Sequence, residues 1–281
     1  MSASPDRSRP LRATRAAVGD PSRNEAVQAS ARIGLVARGI VYGVIGILAF
    51  KLAIGAGGRA ESQTGALKTI GHQPFGEVLL IALAIGLGAY AVWRLVDGIA
   101  GTPPRGDRAL QHRVSAIASG AGYAALCCVA ITIIAGAQSS GGSSGSARHA
   151  TAGVLGWPGG PVIVAVTGLV VIAVGAYQGY KGLARRFEDE ARVEQMGSGT
   201  RAAFTALGVT GHVARAIVFI LIGYGLIRAA LAFSSRSAVG LDGALQKLAH
   251  APAGPVLLGI VALGFIAFAL FSIVDARYHR V

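Results

Sequence analysis

"GLVARGIVYGVIG" (residues 34–46) and "GHVARAIVFILIG" (residues 211–223) agree at eight of thirteen positions, and both carry an arginine, Arg38 and Arg215, into otherwise apolar sequence. A second echo follows each: "GALKTIGHQPFG" (65–76) matches "GALQKLAHAPAG" (243–254) at six of twelve positions. Between them, "SAIASGAGY" (115–123) aligns Ala118, Gly120 and Tyr123 with Ala37, Gly39 and Tyr42, and "GWPGGP" (156–161) stands in for "QPFGE". Self-similarity at a fixed period is the signature of a repeated structural unit. Each unit here encloses two apolar runs.

The chain has 281 residues, of which 53% are hydrophobic and 14% charged, a balance that belongs to membrane proteins. About 20 apolar residues cross a bilayer as a helix. Six stretches qualify: 35–56, 77–99, 114–136, 160–182, 208–231 and 255–275. The expected fold is an all-α membrane protein whose six transmembrane helices form three tandem two-helix hairpin repeats, at 32–100, 112–183 and 208–278. An even number of spans gives every copy the same orientation, so the repeats should build a pseudo-threefold bundle. The remaining segments are an N-terminal tail (1–31), a loop (101–111), a charged connector (184–207) and a C-terminal tail (279–281). Residues 1–21 have no apolar period and read as disordered, whereas Ser22 and Glu25 fit a capping box opening a short interfacial helix. The connector mixes charges at helical spacing, as a solvated helix does, and "SSGGSSGS" (139–146) reads as a flexible loop.

A net charge of +13 raises the question of nucleic acid, but the basic residues fall between apolar runs rather than along one stripe interleaved with aromatic residues. That placement suits an anionic bilayer surface and no nucleic acid. Fifteen Lys or Arg lie in the two tails and in the second and fourth loops, against five in the other three loops. The positive-inside rule then puts both termini in the cytoplasm, for a multi-pass protein of the cell membrane. The expected partners are anionic lipid headgroups at the cytoplasmic face and a second membrane protein.

"ARGIVY" (37–42), "ARAIVF" (214–219) and the drifted "ASGAGY" (118–123) resemble the opening of the family described as domain of unknown function 1206, whose members look like tandem two-span repeats. The resemblance covers nearly everything from 32 to 278, and it implies a membrane protein of unknown activity with no catalytic residue to carry over. The residues themselves point the same way. The sequence holds no nucleophile elbow, no His-Glu-x-x-His, no phosphate loop and no Cys-x-x-Cys. Cys127 and Cys128 are adjacent within an apolar run and read as small packing residues. His72, His149 and His250, one per repeat, read as exposed loop histidines rather than a metal set, and His112 and His212 as headgroup contacts. No cofactor, metal or enzymatic activity is expected. Two functions stay open: a structural role in packing with lipids or protein partners, and a small channel or permease along the repeat axis.

The candidate site residues are structural. Arg38 and Arg215 enter the first and fifth spans at matching depth, and Asp97 and Asp275 occupy matching positions near the ends of the second and sixth. A charge in the membrane is costly unless it snorkels or pairs. The expectation is a pair within each outer repeat, Arg38 with Asp97 and Arg215 with Asp275. In the second repeat Ser119 and Lys181 hold the corresponding positions, so arginine and acid disappear together.

Overall fold

The computed structural model describes residues 25–57, 60–100, 108–136 and 143–279. Among them are nine α-helices and no strand: α1 (Glu25–Ala53), α2 (Gln63–Gly71), α3 (Gly76–Ala100), α4 (Arg108–Ile134), α5 (Ser143–Leu155), α6 (Gly160–Leu183), α7 (Ser198–Leu231), α8 (Leu241–Ala249) and α9 (Gly254–Tyr278). Six of them, α1, α3, α4, α6, α7 and α9, are long and apolar enough to cross a membrane and are numbered here as spans 1 to 6. The tail expected to be disordered and the Ser22 half of the capping box lie outside the described residues; the helix itself is under way at Glu25 and runs unbroken into span 1.

Each repeat is a span, a short helix and a span. The short helices α2, α5 and α8 lie at what we call the hairpin end, and the 184–197 connector marks the opposite, connector end. Chain reversal into the second span uses one left-handed residue at the same repeat position each time: Phe75, Gly159 and Ala253, with φ of 61°, 75° and 56°. His72 and His250 close α2 and α8 by donating from Nδ1 to the carbonyls of Lys68 and Gln246 at 2.7 and 2.8 Å. The glycine-serine stretch read as flexible is helical from Ser143 onward, while 137–142 lie outside the described residues. Ser144 explains the order. Its hydroxyl accepts from the amides of Gly240 and Gly243 at 2.9 and 3.0 Å and donates to Asp242 at 2.7 Å, so the second repeat caps the α8 helix of the third.

The spans form a ring whose tightest seams lie between repeats: span 2 on span 3, span 4 on span 5, and span 6 back on span 1. Equivalent small groups make these crossings. Gly46 of span 1 lies against the Ala262 carbonyl and Ile266, and Gly223 of span 5 lies against Gly168 and Ile172. Cys127 of span 3 holds the third equivalent position, where its thiol donates to the Ala84 carbonyl at 3.3 Å. Without a hydrophobic drive between helices in lipid, such close backbone approach is the main source of association.

Within repeats the packing is looser, and it is weakest in the second, where spans 3 and 4 do not pack along each other. The sequence supplies the reason. Gly86 of span 2 faces Ala37 of span 1, and Gly264 of span 6 faces Ala214 of span 5, each with no room for a Cβ. The corresponding residue of span 4 is Val170, which is 56% exposed. A branched side chain replaces the glycine that lets the other two hairpins close, leaving a lateral seam in the ring. Gly264→Val should therefore lower stability by about 1–3 kcal/mol through overpacking. Thermal unfolding in detergent reads this directly, and a variant as stable as the parent would remove this glycine from the account.

The connector departs from the solvated helix expected. It forms two 3-10 turns, Arg186–Glu190 and Val193–Gln195, and buries Phe187 beneath spans 5 and 6. The Phe187 ring stacks on His212 (5.2 Å, 13°) and meets Phe204 and Phe271 edge-on at 5.7 and 5.2 Å. His212 is thus a core residue, donating to the Gly208 carbonyl at 2.8 Å, and not a headgroup contact; the side chain of His112 lies outside the described residues. Polar links tie the connector to its surroundings: Arg192 N donates to Tyr278 O (2.8 Å), Thr205 Oγ1 to Glu188 (2.7 Å) and Lys181 to Glu190 (2.6 Å).

Candidate functional site

Toward the connector end, all six spans send a polar or aromatic side chain into the bundle, and the site is built around the two arginines that opened the sequence. Arg38 of span 1 sits against span 6. Its Nη2 lies 3.7 Å from Asp275 Oδ2, its Nε donates to Ser272 Oγ at 3.3 Å, and its guanidinium stands 5.0 Å over the Phe268 ring. The other Asp275 oxygen is 3.1 Å from His279 Nδ1. The side chains of Arg38 and Asp275 are only 13% and 7% exposed, so the pair is largely desolvated.

Arg215 of span 5 is held differently. Its guanidinium lies 4.6 Å from the Phe268 ring, 5.4 Å from Tyr42 and 5.8 Å from Phe219. In the amide orientation that satisfies both groups, Gln178 Oε1 of span 4 accepts from Arg215 Nη1 and Nη2 at 3.2 and 3.0 Å. Arg215 Nε is buried with no hydrogen-bond partner.

The expected pairs within repeats do not form: Asp275 is engaged by Arg38 rather than Arg215, and Asp97 by Arg94, at 3.5 Å on its own helix. A repeat position is level with its equivalents on both neighbouring spans, and the tighter seam is the one between repeats. Repeat alignment makes the three seams comparable, since position 38 corresponds to 119 and 215, 94 to 178 and 272, and 97 to 181 and 275. Arg38 therefore meets Ser272 and Asp275, Arg215 meets Gln178 beside Lys181, and Ser119 faces the seam carrying Arg94 and Asp97. Gln178 is the residue that sequence reasoning missed. Its alignment with Ser272 was the available signal.

Three tyrosines complete the site. Tyr90 meets Tyr123 edge-on at 4.7 Å, and Tyr42 meets Phe268 in the same way at 4.9 Å. The Arg38 guanidinium lies 6.0 Å from the Tyr90 ring, and that of Arg215 5.4 Å from the Tyr42 ring. Among the described residues the buried side-chain atoms left without a hydrogen-bond partner are Arg94 Nε and Arg215 Nε. A second polar concentration, a recess of about 380 Å³ between α2, α5 and α8, is lined by Glu61, Lys68, Arg148 and Asp242. Its charges are of both signs, and Ser144 engages Asp242 there, so it reads as the joint between the three short helices.

The comparisons with known proteins agree with this architecture. The family model described as Domain of Unknown Function (DUF1206) matches three times, over residues 33–101, 114–185 and 210–279. The chain is also similar to "Uncharacterized protein YxxB" of Bacillus subtilis (strain 168), at 35% identity over 251 residues that cover 89% of this chain and 90% of that one. No solved structure matches.

Proposed function

From the premise that the chain belongs to the DUF1206 family, whose unit it repeats three times, we propose that it is a non-catalytic protein of the cell membrane that holds lipids or a partner membrane protein. The observation that carries this reading is the close packing of aromatic rings between spans 1 and 6. Tyr42, Phe265 and Phe268 are 7%, 1% and 1% exposed, with rings 5.7 and 4.9 Å apart across the interface of spans 1 and 6. Rings packed this closely leave no polar path between these two spans. The fifteen-to-five distribution of basic residues supports a cytoplasmic connector end, where anionic headgroups would gather.

A small channel or permease is the second reading, favoured by the polar side chains that converge from every span. Proteoliposomes decide between them. The first reading predicts uptake of small polar solutes no faster than in empty vesicles, and solute uptake that depends on the protein would replace the first reading by the second. Orientation is checked separately with a membrane-impermeant maleimide on whole cells: Ser146→Cys and Arg236→Cys should label and Ser198→Cys should not, the reverse pattern placing the termini outside.

A further inference from the structure

Among the described residues no carboxylate pairs with Arg215, although its guanidinium lies inside the bundle against Phe268. At the equivalent seam, Arg38 has Asp275 at 3.7 Å. At its own seam, the position equivalent to Asp275 is Lys181, which is itself neutralised by Glu190 of the connector at 2.6 Å. What surrounds Arg215 is an amide oxygen and three aromatic faces, none of them carrying a full negative charge, and its Nε is left buried without a partner. Guanidinium in an apolar setting is stable only with a counter-charge or several strong acceptors.

Two further observations say what kind of group would complete it and by what route. The Tyr42 ring lies 5.4 Å from the Arg215 guanidinium and the Tyr90 ring 6.0 Å from that of Arg38, and Tyr123 meets Tyr90 edge-on at 4.7 Å, so three hydroxyl-bearing rings cluster about the two arginines. A guanidinium fork with several hydroxyl donors suits an anion that offers several oxygens at once, which a phosphate does and a halide does not. Among the described residues the ring is most open between spans 3 and 4, and those spans contribute Tyr123 and Gln178, both half-buried. We propose that Arg215, with the hydroxyls of Tyr42, Tyr90 and Tyr123, forms a phosphate-binding site entered sideways through the seam between spans 3 and 4. This rests on the lipid-holding reading above and gives it one address: the headgroup of an anionic phospholipid enters the site while its acyl chains stay in the seam.

The test follows thermal unfolding of the purified full chain in a neutral detergent as dioleoylphosphatidylglycerol, dioleoylglycerol or sodium phosphate is added. The parent should be stabilised by phosphatidylglycerol and not by dioleoylglycerol, which has the same chains and no phosphate. Arg215→Gln and Tyr123→Phe should each weaken that response about tenfold, the worth of one lost hydrogen bond to a charged group. Tyr123→Phe keeps the ring contact with Tyr90, so it reports on the hydroxyl without disturbing the fold. Stabilisation by sodium phosphate alone, lost in both variants, would keep the phosphate chemistry and reassign its source to a soluble anion. The site is overturned if the parent responds to neither phosphate compound, or if both variants respond as strongly as the parent. A result against the lipid-holding reading itself would appear instead as solute uptake in proteoliposomes, which this titration does not measure.

Discussion

Arg38→Leu and Asp275→Leu should each destabilise the bundle by about 3 kcal/mol or more, and the double variant should recover much of that loss. The pair is 3.7 Å apart, nearly buried, and set between Phe268 and the seam of spans 1 and 6. Removing one member of a buried pair leaves the other charge desolvated, at a cost of about 3–5 kcal/mol, whereas replacing both by apolar groups is often close to neutral. His279, 3.1 Å from the second Asp275 oxygen, shares the carboxylate and should make Asp275→Leu the more damaging single change. A double-mutant cycle in detergent measures the coupling directly. The same cycle on Arg215 and Asp275 should give a much smaller term, because Arg215 rests on Gln178. Equal coupling in the two cycles would refute the assignment of Asp275 to Arg38.

Phe187→Ala should cost about 3–5 kcal/mol, the usual range for truncating a buried phenylalanine. The ring is 1% exposed, stacks on His212 and leaves no space beside Gly208 for a Cβ. Its loss should also loosen the connector, whose remaining buried apolar anchors are Ala191 and Met196. Trypsin acting at Arg185, Arg186 or Arg192 should then cut the variant at temperatures where the parent resists. Unchanged melting together with unchanged cleavage would mean that the connector is held without Phe187.

Most of the fold could be read from the sequence because repeats report themselves. The expected spans at 77–99 and 160–182 fall within a residue of the helical stretches Gly76–Ile99 and Gly160–Leu183. Span 5 begins earlier than expected, at Ser198, because "SGTRAAFTAL" is too polar to count as membrane sequence yet is helical by packing on Phe187. The candidate site was legible as a set of residues and not as a set of contacts. Hydropathy gives depth along a helix, and nothing in it says which neighbour a ring places beside that helix. Comparing Gly86 and Gly264 with Val170 would have flagged the open seam, and comparing Asp275 with Lys181 would have flagged the uncompensated Arg215. Both signals need the alignment to be read across repeats, one seam at a time.

The closure of span 6 on span 1 also sets an order in time. Ribosomes add about 5–20 residues per second, so on the order of ten seconds or more separates the emergence of Arg38 from that of Asp275. Throughout that interval the first hairpin sits in the bilayer with its strongest seam unmade and its arginine lacking the carboxylate that later engages it. Assembly is complete only when the last span arrives, and a nascent chain truncated before residue 254 retains two of the three tight seams while lacking the one that closes the ring.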